Sequence, residues 1–157
     1  MNILIKNVKL LAEYGFEKRS VCVLVRDARI VYVGEKEPLE AVDRVIDGKG
    51  NLLLPGFYNT HCHAAMTVFR GYGEDLPLDR WLNERIFPAE DRLTSKAAYL
   101  GSLIAAAEMI AGGVVSFSDM YMFEDAVADA VLETGIKANL SRSFVSFDPD
   151  ADILKDF

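Results

Sequence analysis

The sequence predicts an α/β protein whose two parts follow different patterns. Residues 1–54 contain short runs of alternating apolar and polar residues separated by tight turns, which is typical of small antiparallel β-strands. Beyond residue 55, apolar strands alternate with helical patterns, and a βαβαβ order is typical of a parallel sheet. With 157 residues, of which 51% are apolar, the chain is long enough to bury a hydrophobic core.

The strands of the first part are predicted from their alternation and from the turns between them. Val21, Val23 and Val25 fall on one face of a strand, and the tight connection after Asp27 predicts a hairpin to the next strand. The predicted strands span residues 2–11, 20–26, 29–33 and 44–47. Strands this small need a second layer to bury their apolar face.

The second part opens with a Pro-Gly break and a strand predicted over 57–61. Thr94 is suited to cap a helix that runs to about residue 111 and ends at a Gly-Gly pair. Apolar residues follow helical spacing along this helix at Leu100, Leu103, Ile104, Ala107 and Ile110. The remaining predicted elements are a short helix around 78–86, a strand over 114–120, a helix over 124–134 and a strand over 136–145.

Composition and charge argue against several classes of protein. The formal net charge is −7 and no cluster of Lys and Arg occurs, so we expect no nucleic-acid binding. No stretch of eighteen apolar residues and no secretory signal is visible, so we expect no membrane association. The two cysteines, Cys22 and Cys62, form no disulfide framework, which fits a reducing compartment. A cytoplasmic protein is therefore expected.

The chain has two histidines, and they lie two residues apart, at His61 and His63. Alternate residues of an extended strand point to the same face, so both imidazoles can reach one metal ion while Cys62 points away. A catalytic zinc usually has three protein ligands and a water molecule, and no further histidine is present. Either the chain is incomplete or the metal interpretation is wrong.

The order of the elements places other polar residues at the same edge of the predicted sheet. In parallel α/β folds, ligands bind at the carboxyl ends of the strands. His61 and His63 end the first strand of the second part, and Asp119 and Arg142 lie near the ends of the next two. These side chains are therefore expected to lie near one another.

One longer segment carries a recognisable pattern. It reads Leu53-Leu-Pro-Gly-Phe-Tyr-Asn-Thr-His61-Cys-His63-Ala-Ala-Met-Thr-Val-Phe-Arg-Gly71, and it resembles the amidohydrolase superfamily. The segments at 88–94 (Pro-Ala-Glu-Asp-Arg-Leu-Thr) and 118–121 (Ser-Asp-Met-Tyr) are similar to the deaminases of S-adenosylhomocysteine and 5′-methylthioadenosine in that superfamily. Chlorotriazine hydrolases and guanine or cytosine deaminases share much of the pattern.

The resemblance implies a β-sandwich, built from both ends of the polypeptide, beside a (β/α)₈ TIM barrel. Residues 1–54 are then expected to form a partial β-sandwich domain, and residues 55–157 the first, truncated part of a metal-dependent hydrolase barrel. On this interpretation the chain is an N-terminal fragment with an incomplete barrel. Family members add a third histidine, a histidine-x-x-glutamate pair and a metal-binding aspartate further along.

The resemblance also implies roles for single residues. His61 and His63 would be the first two ligands of a divalent metal, most simply zinc, with iron also suited. Glu90 would accept hydrogen bonds from the ribose hydroxyls of an adenosine-type substrate. Arg142 would hold the substrate's amino-acid carboxylate, and Trp81 would wall the pocket.

Several of these residues also have a purely structural interpretation. Glu90 suits a position near a helix N-terminus, where the helix dipole favours an acid. Arg142 could form a surface ion pair, and Trp81 could anchor the loop helix by packing. Asp119 could orient a neighbouring group or make structural hydrogen bonds only.

The implied function is the hydrolytic deamination of adenosine-type purines, in which metal-activated hydroxide attacks the amino-bearing ring carbon. The expected partner is a small nucleoside-type substrate, and a homo-oligomer of the full-length enzyme is compatible with this function. The 157-residue chain alone is expected to be inactive, because it carries only part of the ligand set. The alternatives are another amidohydrolase, acting on guanine, cytosine or chlorotriazines, and a non-catalytic metal-binding or interaction module.

Overall fold

The structure is a computed structural model, and it describes residues 1–12, 15–16 and 19–142. The chain divides into two compact units, Met1–Pro55 and Gly56–Phe157. Among the described residues, no helix is both long enough and apolar enough to cross a membrane.

The first unit is built around its longest strand, which pairs with four others. The strands are β1 (Asn2–Ala12), β2 (Gly15–Phe16), β3 (Val21–Arg26), β4 (Arg29–Gly34), β5 (Arg44–Asp47) and β6 (Leu52–Leu53). The order β2-β1-β3-β4 is antiparallel, whereas β5 and β6 run parallel to β1. Strands β2 and β6 are not among the predicted elements, since two residues carry no alternation.

Strand β3 is buried on both of its faces. Val21 and Val23 pack with Val8 in one cluster, and Cys22 and Leu24 pack in another. The expected valine face is therefore matched by a second apolar face on the same strand. The predicted hairpin to β4 turns at Asp27, which has a left-handed φ of 54°, a conformation that Asp tolerates better than most residues.

The second unit is a βαβαβ arrangement with a three-stranded parallel sheet in the order β7-β8-β9, as predicted. Its strands are β7 (Phe57–Cys62), β8 (Val114–Tyr121) and β9 (Lys137–Arg142). Its helices are a 3₁₀ helix (Ala64–Phe69), α1 (Leu78–Trp81), a π-helical turn (Leu82–Ile86), α2 (Phe87–Glu90), α3 (Ser95–Ala111) and α4 (Glu124–Thr134). Residues 143–145 of the last predicted strand lie outside the described residues.

The predicted short helix around 78–86 is the start of a longer helical run. Before Pro88 this run changes from α-helical to π-helical geometry. Proline lacks an N–H group, and its ring crowds the carbonyl group four residues earlier. The π-helical turn over Leu82–Ile86 takes up this mismatch, and α2 then continues to Glu90.

Helix α3 begins as predicted, with the Thr94 hydroxyl accepting a hydrogen bond from the Ala97 N–H at 3.2 Å. Its inward face consists of small residues instead of the large apolar ones that suggested the helix. The buried residues are Ala98, Gly101, Ser102, Ala105 and Ala106. Leu100, Ile104 and Ile110 are about half exposed.

Small residues let α3 approach the 3₁₀ helix that follows β7 very closely. A methyl group on Gly101 would lie 2.6 Å from the carbonyl oxygen of Ala65. The Thr67 hydroxyl donates a hydrogen bond to the Gly101 carbonyl at 2.5 Å, which fixes the contact. The turn after β7 is thus seated directly on the α3 backbone.

We expect Gly101→Ala to destabilise the chain by about 1–3 kcal/mol, because the added methyl group displaces the turn at Ala65. At an unhindered helix position the same change stabilises by roughly 1 kcal/mol, so the sign of the effect is diagnostic. Urea denaturation measures the free energy of unfolding. Ala107→Ser, at an exposed position of the same helix, is the control and should change it by about 0.5 kcal/mol or less. A gain in stability for Gly101→Ala would contradict the packing described.

Candidate metal centre and substrate pocket

The candidate metal ligands lie where β7 loses its regular register with β8. Asn59 pairs with Phe117 and Cys62 pairs with Asp119, so β7 uses one more residue than β8 over this interval. Such a bulge turns the local side chains away from regular alternation. It occurs immediately around His61, and His63 follows the last strand residue.

The two imidazoles meet in spite of the bulge. The ring centres of His61 and His63 are 5.1 Å apart, and the rings are inclined at 80°. Zinc lies about 2.1 Å from a ligating imidazole nitrogen, so two rings at this separation can share one ion.

The tautomer of His63 is set by a backbone carbonyl group. Its Nδ1 lies 2.7 Å from the carbonyl oxygen of Met120. A carbonyl oxygen only accepts, so in the neutral imidazole Nδ1 carries the proton and Nε2 keeps a free lone pair. This arrangement is typical of metal-ligating histidines, whose second nitrogen donates to a carbonyl or a carboxylate. The residues present therefore fit a divalent metal.

Cys62 packs on the other side of β7, against the core cluster that contains Phe117 and Val127. Burial, with a smaller effect of the Asp119 charge, raises the pKa of the Cys62 thiol to about 11. A neutral thiol is a poor metal ligand, because the thiolate is the form that binds. The described residues contain no group of three or more His, Cys, Asp or Glu side chains that could hold a metal ion.

Asp119 is paired in register with Cys62 of β7 and is 2% exposed. Its Oδ2 accepts a hydrogen bond from the Ala64 N–H at 3.0 Å, whereas its Oδ1 is buried without a partner among the described residues. Burial raises the pKa of Asp119, and the Ala64 hydrogen bond and the charge of His63 oppose the rise. The predicted proximity of Asp119 to the histidines is thus present.

Glu90 is brought to the same region by a tyrosine. The buried Tyr121 hydroxyl donates to Glu90 Oε1 at 2.5 Å, and its ring centre lies 5.7 Å from that of His63. Burial and the bond to Glu90 raise the pKa of Tyr121, so the phenol stays protonated as the donor. Within the described residues, this is the only hydrogen bond to the Glu90 carboxylate.

Trp81 lines a cavity of about 440 Å³ formed by the loop that follows β7. Its indole N–H donates to the Tyr72 carbonyl at 3.2 Å, and its ring lies against Gly73. Trp81 is therefore both a wall of this cavity and a packing anchor for the loop. Neither histidine lines this cavity.

Arg142 ends β9 beside Tyr121, with which it pairs in register. It is exposed and lies 3.8 Å from the carboxylate of Asp125, itself fully exposed. Arg142 also lines a separate cavity of about 310 Å³ together with Met122 and Phe123. The structure thus brings together His61, His63, Asp119, Tyr121 and Glu90, and it places Arg142 and Trp81 at two separate cavities.

Sequence reasoning missed Glu124, the first residue of α4. It is 7% exposed, and neither carboxylate oxygen has a hydrogen-bond partner among the described residues. Burial, followed by the charge of Asp119, raises the pKa of Glu124 to about 7. An acid in the first turn of a helix suggests only favourable helix-dipole placement, so no local pattern indicates its burial.

The comparisons with known proteins decide the family. Residues 52–155 match the family model described as the amidohydrolase family. The chain belongs to the amidohydrolase family. Members of this family depend on metal ions, and the resemblance inferred from the motif is confirmed.

Curated relatives are similar over nearly the whole chain. A 5′-deoxyadenosine deaminase of Methanobrevibacter smithii is 45% identical over 148 residues, which is 94% of this chain and 34% of the relative. A 5-methylthioadenosine/S-adenosylhomocysteine deaminase of Dictyoglomus turgidum is 48% identical over 141 residues, 90% of this chain and 33% of the relative. The chain spans about a third of the length of these relatives.

Solved structures of the family have the same fold. An adenosine deaminase from Xanthomonas campestris with bound zinc matches with a TM-score of 0.74 at 28% identity, over 87% of this chain and 32% of that one. An atrazine chlorohydrolase from Arthrobacter aurescens complexed with zinc matches with a TM-score of 0.79 at 22% identity, over 93% and 36%. The predicted fold class, an α/β chain with the first strands and helices of an amidohydrolase barrel, is confirmed.

We expect the contribution of Glu124 to the stability of the chain to fall as pH rises from 4.5 to about 7, because the folded state holds the Glu124 proton more tightly than the unfolded state. The contribution of this group is at most about 3 kcal/mol. Glu124→Gln removes it, so the difference in free energy of unfolding between wild type and variant should change across this interval. Urea denaturation at a series of pH values measures the difference. Asp129→Asn, on the exposed side of α4, is the control, and a pH-independent difference for Glu124→Gln would contradict the expectation.

Proposed function

We propose that this chain supplies the first two metal ligands and part of the nucleoside pocket of a metal-dependent deaminase of adenosine-type purines. The observation that carries the proposal is the pair of imidazoles at 5.1 Å with His63 Nδ1 bound to the Met120 carbonyl, which leaves Nε2 free for a metal. The names of the relatives, deaminases of 5′-deoxyadenosine and of methylthioadenosine or S-adenosylhomocysteine, supply the substrate class.

His61 and His63 would hold the ion, and zinc is favoured because imidazole suits it and two solved neighbours contain it. When bound, such an ion supplies a Lewis acid that makes water a competent nucleophile near neutral pH. The overall reaction adds water to the amino-bearing carbon of the purine and releases ammonia, so an adenosine-type nucleoside becomes an inosine-type one. The family resemblance implies that a glutamate and an aspartate carry out the proton transfers. Neither of these two residues has a counterpart in this sequence.

Glu90 would bind the ribose of the substrate. Its Oε1 accepts from Tyr121, which fixes the carboxylate, and Oε2 remains as an acceptor for a ribose hydroxyl. The Tyr121 ring, whose centre is 5.7 Å from that of His63, links this acceptor to the proposed metal ligands, which supports a common site. A pocket that hydrogen-bonds a hydroxyl discriminates strongly against analogues that lack it.

Arg142 and Trp81 would contact the parts of the substrate beyond the ribose. The contact of Arg142 with the exposed Asp125 is long and weak, so the guanidinium can exchange it for a substrate carboxylate. Trp81 offers an aromatic face at the edge of its cavity. A substrate such as S-adenosylhomocysteine carries the carboxylate that Arg142 would hold, whereas 5′-deoxyadenosine does not.

We expect the protein encoded by the full reading frame to release ammonia from 5′-deoxyadenosine, 5′-methylthioadenosine or S-adenosylhomocysteine. Replacing both His61 and His63 by alanine should reduce the rate at least a hundredfold, because the ion loses two ligands. Cys62→Ser, between them on the opposite face, should keep most of the activity. The 157-residue chain alone should release none. Full activity of the double variant in the presence of a chelator would refute the proposal, as would turnover of guanine or chlorotriazines without turnover of ribosylated adenines.

We expect Glu90→Ala to raise KM for 5′-deoxyadenosine about ten- to a hundredfold with a smaller effect on kcat, because it removes a hydrogen bond to the non-reacting ribose. Tyr121→Phe should raise KM less, since it frees the carboxylate without removing it. Steady-state kinetics with a 2′,3′-dideoxy analogue of the substrate gives a second test. The wild type should turn over this analogue poorly, and Glu90→Ala should lower kcat/KM for it only a little further. Glu84→Gln, in a surface pair with Arg80, is the control. Equal losses with both substrates would contradict ribose binding by Glu90.

A further inference from the structure

Two successive residues of β8 hold the start of the turn that follows β7. The Met120 carbonyl accepts a hydrogen bond from the His63 ring at 2.7 Å, and the Asp119 side chain accepts one from the Ala64 N–H at 3.0 Å. The two bonds act on neighbouring residues, one on a ring and one on the backbone directly behind it.

The bond from Asp119 replaces a cap that His63 cannot provide. Ala64 is the first residue of the 3₁₀ helix, and N–H groups at a helix start have no partner within the helix. The usual partner is the side chain of the N-cap residue, which here is His63. His63 makes no such bond, because its ring is turned to the Met120 carbonyl. The capping acceptor comes instead from β8, 55 residues away in the sequence.

Capping the turn with a buried carboxylate lowers the stability of the fold. Asp119 is 2% exposed, and its Oδ1 is buried with no hydrogen-bond partner among the described residues. An unpartnered buried carboxylate oxygen is costly, and a neutral side chain could accept the same bond from Ala64. Such a residue is typical of a position where function opposes stability.

We propose that Asp119 is a positioning residue for His63: by capping the turn at Ala64 from the neighbouring strand, it holds the imidazole in the orientation in which Nδ1 donates to Met120 and Nε2 is free. The inference rests on the proposed function only in that the free Nε2 serves a metal. The orientation is a property of the ring and its hydrogen bond, so it can be measured on the metal-free chain.

The chain's two histidines make the test direct. Long-range ¹H–¹⁵N correlation spectra of the metal-free 157-residue chain distinguish the two neutral tautomers of each ring, and His61→Gln assigns the signals. In the wild type we expect a single His63 tautomer protonated on Nδ1. Asp119→Asn keeps an acceptor for the Ala64 N–H and should keep this tautomer. Asp119→Ala and Asp119→Leu remove every acceptor and should give a mixture of both tautomers.

A second readout concerns metal affinity. In the protein encoded by the full reading frame, competition with a chromophoric chelator should show zinc binding weakened ten- to a hundredfold by Asp119→Ala and less than threefold by Asp119→Asn. A merely structural role would lower the free energy of unfolding and leave the His63 tautomer unchanged. The leucine variant fills the same space, so it decides the matter if the alanine variant does not fold.

Two results overturn the inference: a wild-type His63 protonated on Nε2, and an unchanged tautomer in a folded Asp119→Ala or Asp119→Leu variant. Absence of deaminase activity, or of zinc binding, in the wild-type protein would count against the proposed function instead. The tautomer measurement depends neither on deaminase activity nor on zinc binding. Failure of the inference about Asp119 can therefore be distinguished from failure of the proposed function.

Discussion

The candidate site depends on the tie between the end of β8 and the turn after β7. Its two hydrogen bonds join residues 55 and 57 positions apart, so neither can form until the intervening helix has brought the strands side by side. Helix α3 does this through its small-residue face, where Gly101 lets the turn rest on the helix backbone. The orientation of one imidazole therefore depends on how closely the turn that follows it packs on the backbone of α3.

The central strand of the parallel sheet sets the distances between the candidate functional groups. Along β8, Phe117, Asp119 and Tyr121 are buried at alternate positions and face the helices. Asp119 is paired in register with Cys62 of β7, and Tyr121 is paired with Arg142 of β9. Because Tyr121 also donates to Glu90, this strand connects the proposed metal ligands, the proposed ribose acceptor and the proposed carboxylate binder.

Local pattern predicted most elements of the parallel unit, because strand alternation, the Thr94 cap and the glycine stops are local signals. It could not predict what those elements touch. Leu100 and Ile104 indicated a helix correctly, yet the face that packs is the small one, since backbone approach decided the contact. The His61–His63 spacing predicted the meeting of the rings, but the bulge in β7 and the Met120 carbonyl follow from strand register. Tyr121 and Glu124 matter through long-range contacts and burial, which a single sequence does not display.

Buried carboxylates that lower stability lie together at the carboxyl end of the parallel sheet. Asp119 and Glu124 leave three buried carboxylate oxygens without a partner among the described residues, and the charge of Asp119 adds to burial in raising the pKa of Glu124. Within these residues, the buried oxygens without partners all lie at the carboxyl end of β8. Near the opposite end of the same strand, the Phe57 N–H donates a backbone hydrogen bond to the Gly113 carbonyl at 2.9 Å. Since unpartnered buried charge is tolerated where it orients or stabilises something else, its location on one edge is an argument for the site that does not depend on the histidine motif.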